Sequence, residues 1–488
     1  MKKLIFILML TSFIAVSCED FINILPESTV TIDVLYKTDK DFADALAGSY
    51  AVFDAIYDGD QEYMGELLGD DMEHQWATES SAVRMDFFTY INDESVIQTY
   101  WRGHYQAISR LNLLLFQLEK ADPAIVTKKD RYIGEAKFLR GLSYFNLVRA
   151  FGDLPIVTAP ITFEEAYKNK REPVASVYDD VIYPDLLDAE SKLPVKYTGA
   201  DVGRATQGAA KSLLGKAYLT QKDFAKAKAK LKEVTTLGYD LLPNFNDLWD
   251  YSKDEHHKEY IFDIEYESGQ GYGSGLTNTH MPQEAVLQAF YGIKGGGGSD
   301  LAPSDSLLSD PRNSVFQGLF VTGDKRRERS VANGHTNASG VWVPLPVTGL
   351  RRSFSMKYTT AVPAGGDSPA NFKVIRYADV ILMLAEALNE NNKTAEALTY
   401  LNMVRTRAGV TTYSGLTQSS TRSRIEMERR LELCFEGHRW WDLLRTGRAM
   451  QVMGPFGMKE KHWLYPIPLT EMQVVNNPDI LWQNPGWE

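Results

Sequence analysis

Cysteine is nearly missing from this chain, with Cys18 and Cys434 the only two among 488 residues. A disulfide framework and a cysteine-based zinc site are therefore both excluded. A basic surplus is missing too. The net charge is −12, which argues against a nucleic-acid partner, because a phosphate backbone needs a cationic footprint. There is no GxSxG nucleophile elbow, no GxxxxGK[ST] phosphate loop and no HExxH pair, so the common serine-hydrolase, nucleotide-hydrolase and zinc-protease motifs have no foothold. Beyond the N-terminus no apolar run is long enough to cross a bilayer. What remains is globular, 44% apolar and 24% charged, with a generous 11% of aromatics. That aromatic surplus favours a stacking surface for sugars or peptides.

The N-terminus carries a strong local signal. Lys2 and Lys3 precede the apolar run Leu4 to Val16, which is too short for a stable transmembrane helix and reads as a secretory signal peptide. It ends in Ala15-Val16-Ser17-Cys18, small residues before a cysteine as in the lipobox of bacterial lipoproteins. Residues 1–17 are thus expected to be removed, leaving Cys18 acylated and residues 18–34 as a tether. Each buried acyl methylene contributes about 0.8 kcal/mol, so several chains anchor stably. Cys434 then has no partner and is expected to be a buried free thiol.

From residue 35 the chain becomes helical. Phe42, Ala45, Leu46, Ser49, Tyr50, Phe53 and Ile56 share one helical stripe, and Trp101, Tyr105, Ile108, Leu111 and Leu115 another. Arg131 to Phe151 is apolar on most sides and is stopped by Gly152-Asp153-Leu154-Pro155. Leu214, Gly215, Tyr218, Ala227, Leu231 and Val234 fall at the offsets of a tetratricopeptide helical pair. Leu384, Ala385, Leu388, Ala397, Leu401 and Val404 repeat those offsets without a gap. Between the two copies the periodicity is lost. Glu259 to Glu267 alternates like a strand, and GQGYGSG, GIKGGGGSD, SDPRNS, ANGHTNASG and VPAGGDSP are loops. The chain therefore divides into an N-terminal helical region over 35–240 with tetratricopeptide-type units, a loop-rich insertion over 241–370 and a C-terminal region over 371–488. Loops held by a rigid scaffold are the usual place for recognition, so the insertion is where specificity is expected.

The densest stretch is IEMERRLELCFEGHRWWDLLRTGR, Ile425 to Arg448. Glu428, Glu432 and Glu436 form an i, i+4 ladder, Gly437 breaks the helix, and a second short helix is predicted from Asp442 to Arg448. Three glutamates beside paired tryptophans could be an active site. The pattern is better explained as a structural junction whose Arg and Glu side chains pair while Trp440 and Trp441, like Trp101, fill the core.

Within it, ERRLELCFEGHRWWDLLRTG resembles the C-terminal signature of the SusD/RagB family of bacterial outer-membrane nutrient-binding lipoproteins. RYIGEAKFLRGLSYFNLVRAFGDLPIV and the tail WLYPIPLTEMQVVNNPDILWQNPGW are similar to the family's N-terminal half and ending. The resemblance implies an all-α fold of tetratricopeptide-like helical repeats with an irregular loop-rich insertion. It also implies a cell-surface, outer-membrane location through the lipid anchor. The implied activity is capture of an oligosaccharide or polysaccharide and its delivery to a SusC-like TonB-dependent transporter, without chemistry. Some members take peptides, and a secreted glycoside hydrolase is the alternative of another class.

A hydrolase would need two carboxylates with separated protonation, from Asp70, Asp71 and Glu73 or from Glu428, Glu432 and Glu436. The pair His256-His257 and the group Asp70, Asp71, Glu73 and His74 lack metal-ligand spacing. No catalytic residue, metal or cofactor is expected. Sugar rings stack on aromatics while polar neighbours bond their hydroxyls, which nominates Asp71, His74, Trp76 and Arg84 in GDDMEHQWATESSAVR and Tyr272, Tyr291 and Trp342 in the insertion. The basic cluster Lys325, Arg326, Arg327 and Arg329 reads as a solvated loop, although it leaves an anionic sugar open.

Overall fold

The computed structural model describes residues 35–74, 80–253, 255–269, 271–281, 301–302, 318–332, 334–337, 339–344, 354–360 and 366–488. The signal segment, the tether with Cys18, Trp76, Tyr291 and the glycine run Gly295 to Gly298 lie outside the described residues.

The framework is a series of helices: α1 (Asp39–Tyr57), α2 (Ser95–Lys120), α3 (Lys129–Phe151), α4 (Tyr183–Lys192), α5 (Gln207–Thr220), α6 (Phe224–Val234), α7 (Tyr377–Glu390), α8 (Thr394–Ala408), α9 (Gln418–Leu433) and α10 (Arg439–Arg445). From α1 to α9 each packs on the next, as in a repeat solenoid, where stability accumulates from neighbour to neighbour. The all-α reading with tetratricopeptide-like repeats holds. Thr38 opens α1 with a capping box, its hydroxyl accepting from Asp41 N while the Asp41 carboxylate accepts from Thr38 N at 2.7 Å. The predicted stripes face inward, with Phe42, Leu46, Phe53 and Ile56 of α1 and Trp101, Ile108 and Leu111 of α2 buried. Helix α3 is buried on most sides. It is tied to α4 by Arg140, whose Nε and Nη2 reach both Asp185 oxygens at 2.7 and 2.8 Å, and it ends at Gly152 with φ of 74°.

The repeat geometry depends on small residues. A Cβ placed on Gly215 of α5 would lie 2.5 Å from the Leu231 side chain of α6, so the two helices pack closer than any larger residue permits. Helix α6 then packs on α7, although the whole insertion separates them in sequence. Within that gap the predicted strand is β1 (Tyr260–Ile264), and it pairs antiparallel with β2 (Phe372–Arg376). This two-stranded sheet closes the insertion at its base. The tail covers the helical body as expected, with Leu481 and Trp487 buried. Asn484 Nδ2 donates to the Phe151 carbonyl at 3.0 Å and to that of Tyr465 at 2.6 Å.

At the far end of the series, α9 does not run to Gly437. It ends at Leu433, and Phe435 already has φ of 64°, with Gly437 at 73°. Helix α10 accordingly starts at Arg439 rather than at Asp442, so Asp442 sits inside its first turn. A non-glycine residue in this region costs about 1–2 kcal/mol. Opposite the corner stands a π-helical stretch, Tyr63–Leu67. Its Glu66 Oε1 accepts from the backbone N–H groups of Glu436, Gly437 and His438 at 3.0, 3.1 and 3.4 Å, a carboxyl oxygen held in a nest of amides. Close contact makes this possible, because a Cβ on Gly65 would fall 2.4 Å from the Gly437 carbonyl oxygen. Backbone cannot yield as a side chain does. Gly65→Ala is expected to destabilise the fold by about 1–3 kcal/mol, read as a lowered urea midpoint, and a midpoint equal to wild type would show that the approach is not needed.

Candidate functional site

The corner is the first candidate, since it concentrates ionisable groups. Arg376, at the end of β2, is buried and donates from Nε to Glu436 Oε2 at 2.6 Å and from Nη1 to Glu432 Oε1 at 2.6 Å and Glu259 Oε1 at 2.8 Å. Arg407 of α8 pairs with the same Glu432 and Glu259, Arg405 meets Glu428 at 2.5 Å, and Lys357 meets Glu436 at 2.6 Å. Arg326 reaches Asp324 and Glu428, both at 2.7 Å. Among the described residues this cluster sets the cations Arg326, Lys357, Arg376, Arg405 and Arg407 against the carboxylates of Glu259, Asp324, Glu428, Glu432 and Glu436. Charge is balanced, as burial requires. Burial alone would raise the Glu432 pKa, yet Arg407, Arg376 and Arg326 outweigh it and hold the carboxyl well below the usual range.

An acid/base pair needs one carboxyl that keeps its proton and one that does not. All three glutamates of the ladder instead sit in ion pairs away from solvent, so the corner is a junction. Trp101, Trp440 and Trp441 are core, and Cys434 is a buried free thiol whose pKa burial pushes up to about 12. Arg326 corrects the reading of its basic cluster. Lys325 and Arg327 are exposed, but Arg326 is fully buried in the ion network.

The nominated ligand residues separate into two groups. Asp71 is fully buried, and its Oδ1 accepts from Arg430 Nε at 2.5 Å. It belongs to the corner, contrary to the expectation that it faces a ligand. Arg84 is half-buried in a two-pronged pair with Glu94, both bonds at 2.6 Å, which orders the short helix Ser81–Asp86 against the start of α2. Tyr272 and Trp342 are 64% and 38% exposed. Neither ring stacks on another aromatic among the described residues, so both keep a free face. Trp342 lies on a hairpin in which Trp342–Pro344 pairs with Gly334–Thr336, next to exposed Val341. Nothing in the sequence marks Val341.

Two chain-distant loops meet in a short strand pair. The strand Glu73–His74 pairs antiparallel with Leu301–Ala302, which brings the N-terminal loop containing His74 against the insertion. The insertion is also fastened to α1 and the residue that follows it: Tyr266 Oη donates to the Asp54 carbonyl at 2.7 Å and Gly275 N to Asp58 Oδ1 at 2.5 Å. His280 makes a buried pair with Glu62. Tyr272 is therefore carried on a segment pinned at both sides, close in sequence to Gly269, whose N–H meets the Asp367 carboxylate at 2.9 Å. Among the described residues no group of three or more His, Cys, Asp or Glu side chains is arranged to hold a metal.

A model of the SusD family matches residues 252–487, and one for starch-binding proteins associating with outer membrane matches residues 20–219. The chain belongs to the SusD/RagB family. It is 29% identical to SusD-like protein P2 of Formosa agariphila over 82% of each chain, and 26% identical to SusD-like protein P25 of the same organism over 96% of each. Among solved structures it is similar to a laminarin-binding SusD-like protein, with 28% identity, a TM-score of 0.74 and coverage of 92% of this chain and 100% of that one.

Glu432 of the corner serves three arginines at once. Glu432→Gln is expected to cost about 3–5 kcal/mol near pH 7 by leaving buried guanidinium charge uncompensated. A depressed carboxyl stabilises fully above its unfolded pKa, near 4.3, and loses that contribution as pH falls toward its folded value. The stability gap between wild type and variant should therefore be constant from about pH 5 to 8 and narrow below about pH 4. Urea titrations across pH test this, and a gap that widens on acidification would contradict it.

Proposed function

We propose that this protein is a cell-surface glycan-binding lipoprotein that captures an oligosaccharide and delivers it to a SusC-like TonB-dependent outer-membrane transporter. The observation that carries the reading is the whole-chain likeness to the laminarin-binding protein, which spans all of that chain at 28% identity. Laminarin is therefore the first glycan to try. The ligand residues of this reading are Tyr272, Trp342 and His74, with Trp76 and Tyr291, nominated from the sequence, outside the described residues. Flat C–H faces of a sugar stack on such rings, and the loops carry polar partners for hydroxyls.

Acylation at Cys18 supplies the anchor, and the description of the matching family model as associating with outer membrane supports the location. The repeat body offers the broad surface a transporter would cover. Binding without chemistry is supported by the state of the carboxylates, since Asp70, Asp71, Glu428, Glu432 and Glu436 are all engaged by arginines or Lys357.

Affinity electrophoresis in gels containing laminarin tests the ligand, with a glycan and peptide panel run beside it. Tyr272→Ala and Trp342→Ala are each expected to weaken retention by about 0.5–1.5 kcal/mol, roughly two- to tenfold in affinity, and to shift stability by less than about 0.5 kcal/mol. No reducing ends should accumulate. Retention by peptides alone, or turnover abolished by one carboxylate substitution, would overturn the reading. Cys18→Ala is expected to move the protein from the membrane to the soluble fraction on detergent partitioning, and a variant that stays with the membrane would rule out the lipid anchor.

A further inference from the structure

A cleft of about 480 Å³ opens on the helical body, walled by the ends of α3 and α5, by α10 and by the C-terminal tail. That volume suits a small ligand. Its charges differ from those of the corner, where arginines meet carboxylates. Arg171, fully buried, donates to the carbonyls of Phe151, Asp153 and Trp482 and to Asn484 Oδ1. It closes the end of α3 without a counter-charge. Arg149 donates from Nε to the Phe145 carbonyl at 3.2 Å and from Nη2 to Asn146 Oδ1 at 2.5 Å. Its guanidinium lies over the rings of Phe145 and Trp441, 4.1 and 4.7 Å from their centroids. Among the described residues Nη1 has no hydrogen-bond partner and Arg149 has no ion pair. Burial lowers its pKa, with Asp442 acting the other way from beyond ion-pair distance.

Lys216 adds a second cation, 2.9 Å from Asp379 Oδ2 and 3.3 Å from His438 Nδ1. Burial first and Lys216 next push the His438 pKa down to about 3, so the imidazole is neutral and contributes no charge. The walls are aromatic. Trp441 is 5% exposed and its indole N–H has no hydrogen-bond partner, whereas Trp463 is 37% exposed and keeps part of its face in solvent. Trp482, Gln221 and Gln483 also line it, as do Asp153 and the Asp442 carboxylate held by Arg429 and Arg445. A neutral sugar would leave Arg149 Nη1 without a partner, and a bare carboxylate would leave the open face of Trp463 uncovered.

We propose that this cleft is a second ligand site, separate from the loops, that takes a carboxylate-bearing sugar. The carboxylate pairs with the Arg149 guanidinium through Nη1, the pyranose C–H face lies on the open side of Trp463, and a hydroxyl bonds Gln221. The site is assembled from segments far apart in sequence, each of which reads as scaffold.

Titration of the full chain with D-glucuronate, D-glucose and acetate, followed by tryptophan emission and calorimetry, tests the assignment. Glucuronate is expected to bind saturably and more weakly as salt rises, with glucose and acetate at least roughly tenfold weaker. Arg149→Met, checked for native circular dichroism and melting, should weaken glucuronate by roughly tenfold or more. Trp463→Ala, at a partly exposed position, should weaken it by roughly two- to tenfold and keeps the test available should Arg149→Met not fold. Three outcomes would overturn the proposal: no saturable glucuronate signal, acetate binding as tightly as glucuronate, or a signal kept in Arg149→Met and lost in Tyr272→Ala/Trp342→Ala, which would move the sugar to the loops.

Discussion

Glu432 is the side chain on which the architecture turns. It sits on α9, accepts from Arg376 at the end of β2, from Arg407 of α8 and from Arg326 of the insertion, and so joins pieces of chain that have no covalent reason to meet. Three guanidinium groups converging on one carboxylate would repel one another in an apolar interior, so Glu428, Glu436 and Glu259 must be close by. Helix α9 supplies Glu428, the turn that follows it supplies Glu436, and β1 follows directly after Glu259. One helix thereby fixes where the sheet, the preceding repeat and part of the insertion can lie. Buried ion pairs are weak evidence of net stability, but they are specific, because displacing any one partner leaves a charge that nothing else can satisfy.

From that constraint the placement of the loops follows. Helix α6 packs on α7 across the gap left by the insertion, and β1 pairs with β2 at its base. The insertion therefore leaves and re-enters the solenoid at one point, and its length is free to vary without strain on the repeats. A long loop tied only at its base would wander. Here it is fastened again, to α1 through Tyr266 and Gly275, to Glu62 through His280, and to the N-terminal loop through the pairing of Glu73–His74 with Leu301–Ala302. Side chains on such a segment are held by bonds that do not depend on them, so Tyr272 can be exchanged without loosening the loop that carries it.

Much of the scaffold was legible because helical periodicity reports burial directly. The stripes of α1 and α2, the two repeat pairs and the inward tryptophans needed only the spacing of large and small residues. The corner's role as a junction was legible too, from the density of opposite charges on one face. Its exact path was not: the reversal comes at Phe435, and α10 begins three residues before Asp442, because the amide nest around Glu66 stabilises a conformation that residue propensities count against. Asp71 and Arg326 were misplaced for a related reason. Both stand in polar, loop-like sequence, and their burial is decided by Arg430 and the glutamates of α9, hundreds or about a hundred residues away. The cleft around Arg149 left no local trace at all, since each contributing residue lies in a helix whose pattern is explained by packing.

The two candidate surfaces pose opposite electrostatic problems. A chain of net charge −12 should repel an anion at long range, yet the Debye length at physiological salt is about 8 Å, so distant acidic side chains are largely screened from a ligand at the mouth of a pocket. What an anion meets there is the local set of charges. Arg429 and Arg445 are neutralised by Asp379, Asp442 and Glu386, and Lys216 is half-satisfied by Asp379. Arg149 and Arg171 make no ion pair among the described residues, although Asp442 and Asp153 act on them at longer range, and only Arg149 has a nitrogen left over. At the loops the described charges near Tyr272 are acidic, since Glu267 pairs with Tyr272 along the backbone and the Asp367 carboxylate accepts from Gly269 N. An anion would therefore meet repulsion there that the cleft does not offer, and short screening lengths keep the two surfaces electrostatically independent.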